Sequence, residues 1–189
     1  MIIDKPYVVD RETVKSLLQI SVVDYDTLID LYLPIVSEDV ELICNQCFVK
    51  EYTGTLTTGS AIITDVVLGQ VYKNWLVSTE DYTQAKITDA DMDQYTLTTD
   101  ATASQDLTLA TVLINQFPIA KRIVVAQMIA YQVSKNVGIN SASTGSVQSK
   151  SLPPLSVTYN ADDNALHSGN GYPKYIVNSL EQIKKPRFV

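Results

Sequence analysis

PIAKRIVVAQMIAYQVSKNVG, residues 118–138, is the stretch from which the fold is read. Ile119, Ile123, Ala126, Ala130, Val133 and Val137 recur in alternating steps of four and three, the spacing that lines one face of an α-helix. Pro118 suits the first helical position, where a missing N–H costs nothing. Lys135 and Gly138 suit the other end, where a cation meets the helix dipole and glycine takes up the left-handed conformation. Burying the branched aliphatics of this face contributes roughly 1.5–3 kcal/mol each, more than propensity supplies, so packing holds the helix. A second, narrower strip runs beside the first: Val124, Met128 and Tyr131. Two strips fit either a helix sunk deep in its own domain or one that also meets a neighbouring subunit. These three residues are therefore the candidate subunit interface.

Upstream, Asp10 is placed to cap a short helix, RETVKSLLQI, with Val14, Leu17 and Leu18 along one edge. Asp24 is placed to cap a longer one over residues 25–46, with Asp26 in its first turn. There Leu28, Tyr32, Val36, Val40, Ile43 and Cys47 form the apolar arc, Asp30, Ser37, Glu41 and Asn45 lie opposite, and Pro34 predicts a kink. From Phe48 threonine and glycine become frequent and alternation replaces helical spacing. Tyr52 with Leu56, Ile62 with Val66, Trp75 with Val77, Tyr95 with Leu97, and Leu107, Leu109, Thr111 and Leu113 predict five or six short strands. The fold class expected is α+β. Residues 1–47 and 116–137 form a small helical bundle, residues 48–115 an inserted all-β barrel or sandwich, and residues 138–189 an extended C-terminal arm ending in a short helix.

That arm is rich in Ser, Asn, Gly and Pro, with too little apolar surface to build a core, and only LSVTY resembles a strand. Its final helix, from Pro173, sets Ile176, Leu180 and Ile183 on one side, with Lys184, Lys185 and Arg187 following. This apolar face with its basic end predicts a contact with a partner.

Net charge of −7 in 189 residues argues against a protein that reads nucleic acid, because phosphate binding needs a basic stripe. The start, MIIDKPYVVD, lacks the basic and apolar regions of a signal peptide, and no stretch is long and apolar enough to span a bilayer, so a soluble chain made in the cytoplasm is expected. Cys44 and Cys47, three apart on one helix, are poorly placed for a disulfide and read as reduced thiols. They are half of a zinc site without a second pair, and the lone His167 lies far away. Asp89, Asp91, Asp93 and Asp100 have the spacing of a calcium loop, but Gln94 stands where the sharp turn needs glycine, which favours a solvated turn. With one histidine, no nucleophile elbow and no phosphate-cradling loop, neither enzyme activity nor a cofactor is expected.

The segments TVKSLLQI, DYDTLIDLYLPIVSEDVELICNQCF, IAKRIVVAQMIAYQVSKNVGINSASTGSVQ and GYPKYIVNSLEQIKKPR, in that order, resemble the head-to-tail adaptor (connector) proteins of tailed bacteriophages. The resemblance implies a structural virion protein at the neck: a ring, twelvefold to match the portal, that extends the DNA channel and docks a downstream tail or stopper protein. DNA passes through its lumen without specific binding. Helix packing falls to Leu28, Val36, Ile123 and Ala130, and a portal-gripping tail to Pro173–Arg187. The inserted β-domain is larger than the family's usual connection. Leu152-Pro153-Pro154 interrupts the Ser-rich turn that normally leads into a β-hairpin. The alternative reading is a virion decoration or carbohydrate- or capsid-binding module carried by the β-domain.

Overall fold

The computed structural model describes residues 3–67, 69, 71–136, 149–152, 155–158 and 171–185. Among them the chain is α+β: four α-helices and a closed six-stranded antiparallel barrel, with a separate two-stranded hairpin. It divides into two compact units, one made of residues 1–8 and 47–119, the other of residues 9–46 and 120–189.

In the helical unit, Asp10 caps α1 (Arg11–Leu18), its carboxylate accepting from the Thr13 N–H at 2.9 Å and the Thr13 hydroxyl at 2.6 Å. α2 (Asp26–Cys44) starts without a side-chain cap, so Asp24 does not play the expected part. Asp26 instead takes the Lys15 ammonium at 2.6 Å, and Asp30 takes the Arg11 guanidinium at 2.6 Å, which ties α1 to α2. The helix runs unbroken through Pro34, and Asn45 ends it in the left-handed conformation (φ 51°). Ile29, Leu33, Val36, Val40, Ile43 and Cys44 form its buried face. After a 3-10 turn (Ile119–Lys121) comes α3 (Arg122–Asn136), so Pro118 precedes the helix by a turn. Ala126, Ala130 and Val133 of the expected core face are buried, but Ile119 and Ile123 are 41 % and 37 % exposed. Val125 and Ile129 take their place, because the buried side of α3 is turned away from Ile123 and Gln127, which share the exposed side. β7 (Ser149–Leu152) and β8 (Leu155–Thr158) pair antiparallel with Leu152 opposite Leu155, and α4 (Lys174–Glu181) follows.

The barrel unit comprises β1 (Val49–Leu56), β2 (Ile62–Thr64), β3 (Leu76–Ser78), β4 (Ala85–Asp91), β5 (Thr96–Thr99) and β6 (Leu107–Asn115), closed in the order β1-β2-β5-β4-β3-β6. Closure removes every sheet edge. Ile63, Val77, Ile87, Leu97, Val112 and Ile114 fill the interior. On β6 the inward set is Ala110, Val112 and Ile114, and Leu109 is 80 % exposed, the reverse of the expected alternation. A register shift between Gly54 and Leu56, with Leu109 at φ 56°, inverts the phase there. Below the barrel, Asn115 is buried with its amide donating to the Pro6 carbonyl at 3.0 Å and its oxygen accepting from the Phe117 N–H at 2.9 Å. The Trp75 indole donates to the Phe117 carbonyl at 3.2 Å, and the Phe117 ring meets Phe48 edge-on at 4.9 Å.

Gly54 is required by space. A Cβ there would lie 2.7 Å from methyls of both Ile63 and Val66. Gly54→Ala is expected to cost about 1–3 kcal/mol in the barrel's unfolding, read from Trp75 fluorescence in denaturant. Gly69→Ala, with open space around it, is the control and should leave the midpoint unchanged.

Candidate contact surfaces

Among the described residues no three His, Cys, Asp or Glu side chains converge as a metal site. Asp89 and Asp91 lie within β4, a strand the sequence reading missed by assigning these residues to a turn. Their carboxylates are engaged locally at the barrel's surface. Asp89 pairs with Lys73 at 3.1 Å, and that bond holds its carboxyl below the usual range. Asp91 accepts from the Asp93 and Gln94 N–H groups at 3.0 Å, and Asp100 accepts from the Lys86 N–H at 2.6 Å. Cys44 is buried with its thiol 4.0 Å from the Leu180 carbonyl, and burial pushes its pKa up to about 11, which makes it a poor nucleophile. Cys47 is exposed, and His167 falls outside the described residues.

α4 returns onto α2 and α3. Tyr172, with no exposed surface, donates its hydroxyl to Asp39 on α2 at 2.6 Å and brings its ring to 6.0 Å from Tyr131 on α3. Burial and then the Asp39 bond raise the Tyr172 pKa; burial raises that of Asp39, against the lowering effect of Tyr172, with Glu38 adding to the rise. Lys121 donates to the Ser179 carbonyl at 3.0 Å and to the Gln182 amide oxygen at 2.7 Å. At the end of α2 the orphan carbonyl of Cys44 accepts from the Lys185 N–H at 3.0 Å, and the Gln46 amide reaches the Ile183 carbonyl at 2.9 Å.

These contacts place the candidate residues. Val124 and Met128 are 7 % and 0 % exposed, and Tyr131 is half-buried against Tyr172. In the single chain the strip is thus an inner surface. Ile176 and Leu180, expected to lie in a partner's groove, are 1 % and 0 % exposed in the single chain, where α4 meets α2 and α3. Ile183 is half-buried, Lys184 and Lys185 are exposed, and Arg187 lies outside the described residues. Two features had no counterpart in the sequence reading. Arg122 is buried with Nε and Nη2 unpartnered, and burial lowers its pKa while Asp10 opposes the shift. Leu31, Ile35 and Leu42, at 53 %, 45 % and 67 % exposure, form a second apolar strip on α2; their spacing of four and seven was the available signal.

Among the described residues no helix is long and apolar enough to cross a membrane. No protein-family model matches the chain, and no curated protein matches it.

Proposed function

We propose that this chain is a head-to-tail adaptor of a tailed bacteriophage, a structural subunit of a ring in the virion neck that sits below the portal and receives the tail or stopper protein. The observation that carries the reading is the way residues 9–46 and 120–189, separated by a whole barrel, join in one helical unit. The segments of that unit are the ones that resemble the adaptor family, in the same order, and the barrel is an insertion between α2 and α3. On this reading the helical unit is the bundle that builds the ring, and the basic end at Lys184 and Lys185 is the portal contact. An overall charge of −7 suits a channel along which DNA slides without being held.

The rival reading makes the barrel the working part, a decoration module that binds capsid or glycan. It draws on Val67, Tyr95 and Leu109, which are 74 %, 52 % and 80 % exposed on that unit. Electron microscopy of the chain mixed with its cognate portal separates the two. The adaptor reading expects closed rings on one end of the portal; attachment to capsid lattice or glycan with no portal binding would overturn it.

A further inference from the structure

Arg122 is the first residue of α3, directly after the 3-10 turn Ile119–Lys121, and only 3 % of it is exposed. Its Nε and Nη2 have no hydrogen-bond partner among the described residues. Neighbouring cations of the helical unit are answered: Arg11 by Asp30, Lys15 by Asp26, and Lys121 by the Ser179 carbonyl and the Gln182 amide oxygen. The acid whose charge reaches Arg122 is Asp10, and both of its carboxylate oxygens are taken up by the Thr13 N–H and hydroxyl in capping α1. A buried lysine or carboxyl group sheds its charge by titrating. A guanidinium keeps its proton, so the cost of burying it stands until an anion answers it.

The two open donors say what kind of anion. Nε–H and the adjoining Nη2–H lie on one edge of the planar guanidinium and point the same way, the fork that takes two oxygens of a carboxylate or a phosphate side by side. A water molecule can meet these N–H groups, but it brings no charge. The N-terminal end of a 15-residue helix adds its own preference for an anion. A long side chain at a helix start leans back over the preceding turn, and here that turn is exposed at Ile119 and Ala120, so a single short turn separates the guanidinium from solvent. With so little of the residue exposed, the ion must be small. We propose that the start of α3 is a binding site for a small oxyanion, inorganic phosphate or a simple carboxylate, held side-on by Nε and Nη2 of Arg122. The site lies within the helical unit and does not depend on the ring reading.

Thermal melts of the full chain, followed by far-UV circular dichroism at constant ionic strength, test it with phosphate and with formate against chloride. The midpoint should rise as the site fills, following mass action. Exclusion of phosphate from protein surfaces also raises a midpoint, but it does so in every variant alike. Arg122→Met keeps the stem of the side chain and removes the charge and the fork. It should lose the site-specific rise, and in chloride it should melt higher than the wild type. Arg122→Lys keeps the charge without the fork and should need about tenfold more anion for the same rise. Formate acting alone would name a carboxylate as the ligand and phosphate acting alone a phosphate; either supports the site. If Arg122→Met does not fold, isothermal titration of the wild-type chain with the two anions decides, a saturable heat supporting the site. Equal responses of the wild type and Arg122→Met, or no heat with either anion, would overturn the proposal.

Discussion

Met128→Asp is expected to unfold the helical unit of the free chain. Met128 has no exposed surface, and its neighbours on α3, Val125 and Ile129, are equally enclosed. The substitution removes a buried thioether and puts a carboxylate among apolar atoms with no partner, a combination that costs about 4 kcal/mol or more. Set against a total stability of about 5–15 kcal/mol for a domain, that is enough to lose the unit at moderate temperature. Far-UV circular dichroism should show helix loss at low denaturant, while Met128→Leu, which conserves volume, should cost under about 1.5 kcal/mol. A Met128→Asp chain that keeps its helices and fails only in assembly would return the strip to a subunit boundary and refute its place in the interior.

The residues differ in how openly they declared their positions. The Asp10 cap and α1 were legible because a cap and its helix are local, decided within four residues. The strand-rich middle and the helix after Pro173 were legible from alternation and spacing, and a closed barrel lies within the architectures that five or six short strands allow. What was hidden depended on partners remote in sequence. The β6 pattern Leu107, Leu109, Thr111, Leu113 runs across a bulge opposite Thr55: Leu107 packs with Leu56 and Ala110, but beyond the bulge Ala110, Val112 and Ile114 point inward and Leu109 outward. β4 was hidden because its carboxylates mimic a cation loop, while their real partners, the Lys73 ammonium and the Asp93 and Gln94 N–H groups, appear only once the strand is built. On the helices, two apolar strips were visible on α3 and one on α2. Spacing alone says that a strip is buried, not by what: the structure encloses Ala126, Ala130 and Val133 of the first α3 strip and Val124 and Met128 of the second, but leaves Ile119 and Ile123 and a strip of α2 exposed.

Removal of Tyr172–Val189 is expected to lower the melting temperature of the free chain sharply, with its helical signal falling further than the lost residues alone explain. Tyr172, Ile176, Val177 and Leu180 are each at most 2 % exposed, and the three aliphatics alone bury roughly 1.5–3 kcal/mol apiece. Their loss also leaves Asp39 without its donor and the end of α2 without the Lys185 N–H. Tyr172→Phe isolates the first of these effects and should cost about 1–3 kcal/mol, because it leaves a half-buried carboxylate unpartnered. Asp39→Asn keeps an acceptor for the Tyr172 hydroxyl and removes the charge, so it should be close to neutral. Since burial raises the Asp39 pKa on folding, its ionised form opposes the fold above that raised pKa, and the opposition is relieved as pH falls through it. The wild-type seam should therefore gain stability on mild acidification relative to Asp39→Asn, in melts run just above the ordinary carboxylate range. A truncated chain that melts like the full one would show that α4 is not part of the unit. If it melts early, the apolar face of α4 is committed to its own subunit, and any hold on a portal must come from Lys184, Lys185 and the residues after them.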